Sequence, residues 1–438
     1  MPAGRRRRGF PRRGLAVTVA PMRRSLTAAE ALAVVLESAG PLPLERILVR
    51  DAPGRVLGED VVSGRTLPPA DCSAMDGYAT RSEDLRGAAE ASPVTLRVAF
   101  EVAAGASSGS AIAVGEAARI FTGAPVPRGA DTVVRQEDTS REGETVLVRV
   151  AAPPRENVRP AGEDVRSGDL VLRSGSRLGP AEVGLLASLG RSEIAVHQRP
   201  RVAILSGGDE LVEIDGDPAQ GRIVSSNSHS LAAQCREAGA DPFYLGIARD
   251  TPDDLEAVLR RGLGADVLVS SAGVSVGDRD YVRPVLEKLG CSLVFWGVRM
   301  RPGHPLVFGR FGERGPLVFG LPGNPVSAMV TFEQFVRPLL RRQLGHSRIF
   351  RPTLRARLAE DFRKKGDRLH FVRVRLEREG AEVVARSTGN QSSGVLRSMS
   401  LAQGLLVFPA EESELRAGSH ATVQVLDESF FAGDEPGF

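Results

Sequence analysis

Between residues 201 and 344 the chain alternates short apolar runs with amphipathic helical stretches, and this alternation limits the fold more than any other feature. Runs at 201–205, 243–248, 266–270 and 316–319 read as buried strands. Helical periodicity follows at 228–238, 253–262, 281–289 and 326–344. Asn227 reads as the cap of the first helix, and Thr251-Pro252 opens the second with a cap and an N1 proline. Strands and helices alternating at this spacing predict a doubly wound parallel sheet. In such a sheet the loops that follow strands gather at the carboxyl edge, where ligands bind.

The flanks read differently. Thr27-Ala28-Ala29-Glu30 forms a capping box that opens an amphipathic helix through about Ser38. From 45 to 198 short strands, as at 94–98, 133–136, 146–150 and 170–172, are broken by Gly/Pro turns, with one clear helix at 180–189. Arg199-Pro200 marks a boundary. Beyond Arg351 the alternation at 371–376, 382–385, 405–408 and 421–426 predicts a small antiparallel barrel. The expected molecule is therefore multidomain α/β plus β. It has a disordered Arg-rich extension (1–24) and an elongated β-rich N-terminal region of two lobes for dimerisation and linkage (25–198). A central doubly wound α/β domain (199–346), a C-terminal β-barrel (350–428) and a tail (429–438) follow.

Charge and cysteine usage exclude several classes. The net charge of +3 hides eight arginines and no acid within residues 1–24, which leaves about −5 on the rest. Nucleic acid is therefore not expected as a partner of the folded body. The basic arm has no apolar core after it and is no secretory signal, so Met22 is the expected functional start. No apolar stretch approaches the ~20 residues of a membrane span. Cys72, Cys235 and Cys291 have neither disulfide-framework nor zinc-ligand spacing, and a reducing cytoplasm is expected.

The carboxyl-edge loops carry the chemistry. In SSAGVSVGDRDY (270–281) small residues let backbone amides, with the hydroxyls of Ser271 and Ser275, cradle an oxyanion. Asp278 and Asp280 in that loop, Asp209 and Glu210 after the first strand, and Asp250 after the second offer hard oxygen donors. So many carboxylates on one edge would repel unless a cation sat among them. A divalent metal and phosphate site follows.

The motifs carry a family resemblance. SSAGVSVGDRDY (270–281) and GLPGNPVSA (320–328) are similar to the signatures of the molybdopterin-binding domain. SAMDGYA (73–79), FTGAPVP (121–127) and AGED (161–164) resemble the molybdopterin molybdenumtransferase family, MoeA, and the E domain of gephyrin. The resemblance runs from about Leu26 to Leu426. It implies a homodimer that inserts molybdenum from molybdate into adenylylated molybdopterin, with Mg²⁺-dependent cleavage of the adenylate to release molybdenum cofactor and AMP. The active site then lies between the molybdopterin-binding domain of one subunit and the N-terminal lobe of the other. The molybdopterin adenylyltransferase and cofactor-accepting apoenzymes are the expected protein partners.

Carried onto this chain, the resemblance makes Glu210, Asp250 and Asp280 the Mg²⁺-holding carboxylates. Gly273, Ser275, Gly277 and Asp278 hold the pterin phosphate, helped by the turn Pro322-Gly323-Asn324-Pro325 and its helix N-terminus. Asp76, Thr122 and Asp164 come from the N-terminal lobe, and Ser393 lies near the cleft. The chain also departs from the pattern. The family's Lys-Pro-Gly-Lys-Pro is Arg301-Pro302-Gly303-His304-Pro305 here, which puts Arg301 and His304 on the oxyanion. Gly207 replaces a frequent threonine, Ala272 a usual glycine and Gln403 a frequent asparagine. A tungstate-inserting paralogue, an adenylyltransferase and a gephyrin-like scaffold are the alternatives.

Overall fold

The computed structural model describes residues 23–105, 109–271 and 281–432. The described residues form two compact units, one within Arg46–Pro53 and Leu57–Ala195 and the other made of the remaining described residues.

A seven-stranded sheet organises the larger unit. Its strands are β1 (Arg23–Leu26), β2 (Arg201–Gly207), β3 (Asp241–Ala248), β4 (Val267–Ser271), β5 (Cys291–Val298), β6 (Val307–Phe311) and β7 (Leu317–Leu321). Their spatial order is β1-β5-β6-β7-β4-β2-β3. The helices are α1 (Ala28–Glu37), α2 (Ser226–Ala238), α3 (Pro252–Gly262), α4 (Val282–Lys288), α5 (Pro325–Thr331) and α6 (Arg337–Gln343). Alternate residues of β2 enter different cores. Val202 and Ile204 pack with Leu231, Phe335 and Leu339, whereas Ala203 and Leu205 pack with Leu255, Leu259 and Val285. Burial on both faces is why β2 and β4 read as continuous apolar runs. Phe308 stands between Phe295 and Phe319 at centroid distances of 5.5 and 5.0 Å, each pair contributing about 1 kcal/mol beyond area burial.

Several expectations change here. The sheet is mixed rather than parallel, because β6 runs antiparallel to both β5 and β7. The short link from β5 to β6 returns the chain directly, without the helical crossover a parallel neighbour needs. Arg23 and Arg24, expected within the extension, instead belong to β1, parallel to β5 opposite Phe295 and Trp296; residues 1–22 lie outside the described residues. Helix α1 packs in the larger unit rather than with the smaller, β-rich one. Its capping box forms as read, and its Ala31 and Val35 are fully buried in the core of the α/β sheet. Helix α2 starts at Ser226, so Asn227 is inside the helix and not its cap. The single helix expected at 326–344 is split by a π-helical turn at Phe332–Val336. Pro338 lacks the N–H that would close the ladder to Gln334.

The same unit carries the barrel. Strands Thr353–Leu358, Leu369–Glu379, Glu382–Ser387, Gly404–Phe408 and His420–Val425 close on themselves through the pairing of Leu369–Glu379 with Gly404–Phe408. One pairing, Thr353–Leu358 with Glu382–Ser387, is parallel, so the barrel is not purely antiparallel. Met300–Arg301 adds a short parallel strand, with Arg301 opposite His370.

The smaller unit is β-rich, as expected. Its largest sheet has six strands in the order Thr132–Arg135, Gly77–Thr80, Glu116–Ile120, Val94–Val102, Thr145–Val148 and Thr139–Glu142. Among the described residues no helix is long and apolar enough to cross a membrane. All three cysteines are free and buried, and burial pushes Cys235 and Cys291 up to about 12.

Candidate functional site

From β2 the chain crosses to β3 on one side and then to β4 on the other. That reversal opens a crevice at the carboxyl ends of β2 and β4. A cavity of about 510 Å³ occupies it, lined by Glu210, Ser225, Asn227, Ser271, Pro322 and Asn324 among others. Its described lining contains no Lys, Arg or His. Apolar walls come from Leu211, Ile223, Val224 and Pro305.

Sheet register builds the floor. Ser206 of β2 lies opposite Ser271 of β4, and their hydroxyl oxygens are 3.4 Å apart. Ser225 Oγ donates to Ser206 Oγ at 3.0 Å and lies 3.2 Å from Ser228 Oγ. All four serines are buried, so the chain of hydroxyls satisfies polar groups that would otherwise be costly. Sequence reasoning missed Ser206, Ser225 and Ser228, because their meeting depends on register and on where α2 begins.

The turn before α5 forms the opposite wall. Asn324 occupies the N-cap position with Pro325 at N1, and its side chain reaches outward, Nδ2 donating to Ser393 Oγ at 3.0 Å. Ser393 also accepts the Val326 N–H on its carbonyl at 3.1 Å. Asn227 Nδ2 donates to Gly323 O at 2.7 Å, tying α2 to the same turn. The structure therefore brings Glu210, Pro322, Gly323, Asn324 and Pro325 to one cavity, with Ser393 bonded to its rim.

The remaining carboxylates are arranged less completely. Asp250 N–H donates to Asp209 Oδ1 at 3.1 Å, and Asp209 N–H to Asp250 Oδ2 at 3.4 Å, which couples the loops after β2 and β3. Asp280, Asp278, Gly273, Ser275 and Gly277 lie outside the described residues. Among the described residues no group of three or more His, Cys, Asp or Glu is poised to hold a metal ion. Glu210 and Asp250 are hard oxygen donors of the kind Mg²⁺ takes, two of the three carboxylates expected.

Arg301 and His304 do not appear together in the lining of either described cavity. Arg301 lines a second cavity, of about 280 Å³, with Arg363, Lys364, Lys365, His370 and Arg373. Burial holds His370 down to about 4, with Lys364, Arg301 and Arg368 adding to the effect. Lys364 Nζ donates to Arg368 O and Ala410 O, each at 2.8 Å. His304 Nδ1 is 2.8 Å from Val298 O, so that nitrogen carries the hydrogen, and its ring meets Trp296 edge-on at 5.7 Å. His304 is in the lining of neither cavity. The basic run Arg363-Lys364-Lys365 was legible as charge, but not its meeting with Arg301, which depends on Met300–Arg301 pairing with the barrel.

In the smaller unit Asp76 and Thr122 come together as expected. Thr122 donates to Asp76 Oδ1 through its N–H at 2.7 Å and its hydroxyl at 2.8 Å. These two bonds hold the exposed Asp76 carboxyl below its ordinary range, with Arg119 adding to them. The adjoining Gly77 is required by close approach, since a Cβ there would lie 1.9 Å from Val134 O. Asp164 is exposed, and its backbone N–H donates to Leu67 O at 3.1 Å.

Comparison with known proteins matches three successive regions. Residues 26–190 match the MoeA N-terminal region (domain I and II), 203–342 a probable molybdopterin binding domain, and 355–426 the MoeA C-terminal region (domain IV). The chain is 38% identical over 379 residues to a molybdopterin molybdenumtransferase of Nostoc sp., covering 86% of this chain and 87% of that protein. It is 35% identical over 389 residues to the molybdopterin molybdenumtransferase of Haemophilus influenzae, covering 88% and 94%. A crystal structure of the molybdopterin biosynthesis moea protein from Pyrococcus horikosii superposes with a TM-score of 0.79 at 32% identity, covering 92% of this chain and 99% of that one.

Proposed function

Because the chain belongs to the MoeA family of molybdopterin molybdenumtransferases, we propose that it converts adenylylated molybdopterin and molybdate into molybdenum cofactor and AMP. The observation that carries this reading is the crevice at the β2/β4 carboxyl edge. It is large enough for a small organic ligand and is walled by the GLPGNPVSA turn and Glu210. The first turn of α2 faces it with Ser225, Ser226 and Asn227, and a helix N-terminus favours a phosphate.

Glu210 and Asp250, with Asp280, would hold Mg²⁺. Bound there, the ion would neutralise charge on the phosphates of the adenylate. Arg301, Arg363, Lys364 and Lys365 gather cationic charge in the second cavity, which suits the tetrahedral oxyanion. The family resemblance supports a cytoplasmic homodimer in which Asp76 and Thr122 of the partner subunit complete the centre.

Assembly from purified adenylylated molybdopterin tests the whole reading, with molybdate and tungstate compared and Mg²⁺ omitted in a control. AMP and molybdenum cofactor should appear together, and only with both oxyanion and Mg²⁺ present. AMP release that ignores the oxyanion overturns the insertion reaction. A preference for tungstate changes the substrate and leaves the chemistry.

A further inference from the structure

The larger cavity has an acceptor with nothing to accept. Asn227 Nδ2 donates to Gly323 O at 2.7 Å, which fixes the orientation of the carboxamide. Its Oδ1 is buried and has no hydrogen-bond partner. Rotating the amide would set Oδ1 against the Gly323 carbonyl, so the orphan is not a matter of assignment. A buried acceptor left unsatisfied costs free energy, and one that lines a cavity is available to a ligand's donor.

The rest of the lining agrees on what that ligand end looks like. The described lining has no cationic side chain, while the carboxylate of Glu210 adds a second acceptor. Its apolar walls come from Ile223, Val224, Pro305, Pro322 and Pro325. An oxyanion alone is poorly served by such walls, and a planar nitrogen heterocycle with N–H groups on its edge is well served.

We infer that Asn227 is a specificity-determining residue whose Oδ1 accepts an N–H of the exocyclic amino group on the substrate's heterocycle. The inference rests on the reading that this cavity holds adenylylated molybdopterin. Two parts of that substrate have this chemistry, the aminopterin ring and the adenine.

Binding of paired probes to the full chain separates the two. AMP is compared with purine riboside 5′-monophosphate, which lacks the amino group. A pterin is compared with the corresponding lumazine, in which oxygen replaces that group. In the unsubstituted protein one pair should differ by about tenfold in Kd, the worth of one satisfied buried acceptor. Asn227→Leu should abolish that difference. Asn227→Asp keeps an oxygen and loses the donor to Gly323, and should retain it, which separates recognition from damage to the turn. Discrimination within the AMP pair assigns the oxygen to adenine, and discrimination within the pterin pair assigns it to the pterin. Equal binding within both pairs, or discrimination that survives Asn227→Leu, overturns the inference. Turnover of adenylylated molybdopterin by the unsubstituted protein, run in parallel, shows independently whether the underlying reading stands.

Discussion

The two cavities of the larger unit have opposite chemistry. The cavity at the β2/β4 edge is lined by Glu210, Asn227, small hydroxyls and proline rings, with no cation among its described lining. The cavity beside the barrel is lined by Arg301, Arg363, Lys364, Lys365, His370 and Arg373. One loop of the barrel serves both. Ser393 bonds to Asn324 and Val326 at the first cavity, and Gln391 lines the second. The difference teaches that the α/β domain alone does not furnish the cationic site. The barrel supplies it, and its 390–393 loop links the two.

Removing the residue that pins this loop should have the largest effect. Arg373 is 1% exposed, its Nε donating to Ser398 Oγ at 3.0 Å and its terminal nitrogen to Asn390 O and Ser392 O at 3.3 and 3.1 Å. Burial lowers it to about 10, so it remains charged at neutral pH. Arg373→Met should cost about 3 kcal/mol in denaturant unfolding, because the buried Ser398 hydroxyl and the part-buried carbonyls of Asn390 and Ser392 lose their donor and the loop loses its anchor. It should also raise the KM for both substrates. A cost below about 1 kcal/mol would mean that the loop is held by something other than this arginine.

Arg301→Ala comes next and tests the cationic cavity by itself. Half-maximal AMP release should need about 10- to 100-fold more molybdate, the worth of a charge-assisted bond, while AMP affinity stays near its original value. His304→Ala is the comparison, since His304 donates to Val298 O and lines neither cavity. Its molybdate requirement should move by about twofold or less. The opposite ranking of the two variants would place the oxyanion by His304 and break the division between the cavities.

The sequence was informative where local rules act alone. Buried runs such as Val202-Ala203-Ile204-Leu205 announced strands covered on both faces, and Thr27 with Glu30 announced the start of α1. Tertiary competition defeated it elsewhere. Asn227 has the composition of a cap, yet Gly323 O takes its amide hydrogen and α2 begins two residues earlier than expected, at Ser226. Arg301 and His304 are three residues apart and read as one oxyanion clamp, but the pairing of Met300–Arg301 with Leu369–Glu379 carries Arg301 to the barrel. The buried serine chain was invisible because it depends on the register of β2 against β4. Motifs gave Asp76 and Thr122 as separate positions, and their direct hydrogen bonds follow from the fold around Gly77.

The smallest effect concerns pH and again distinguishes the cavities. His370 is held at about 4 by burial, reinforced by Lys364, Arg301 and Arg368, against about 6.5 in an unfolded chain. A depressed value means that the unfolded state binds the proton more readily. The contribution is therefore complete above about pH 6.5 and is lost as pH falls toward 4. Stability to denaturant should decline across that window, and His370→Asn should make the decline shallower. Sulfate stays dianionic throughout and serves as a probe of the second cavity. Seated beside Arg301, it opposes the cations that disfavour the imidazolium, so the His370 titration followed by NMR should move upward toward 6.5. The ring is partly exposed, which limits the size of the shift. If sulfate instead leaves His370 unmoved while perturbing Asn227, the anion prefers the cavity at the β2/β4 edge through its helix N-terminus, and the assignment of charge to the barrel side is wrong.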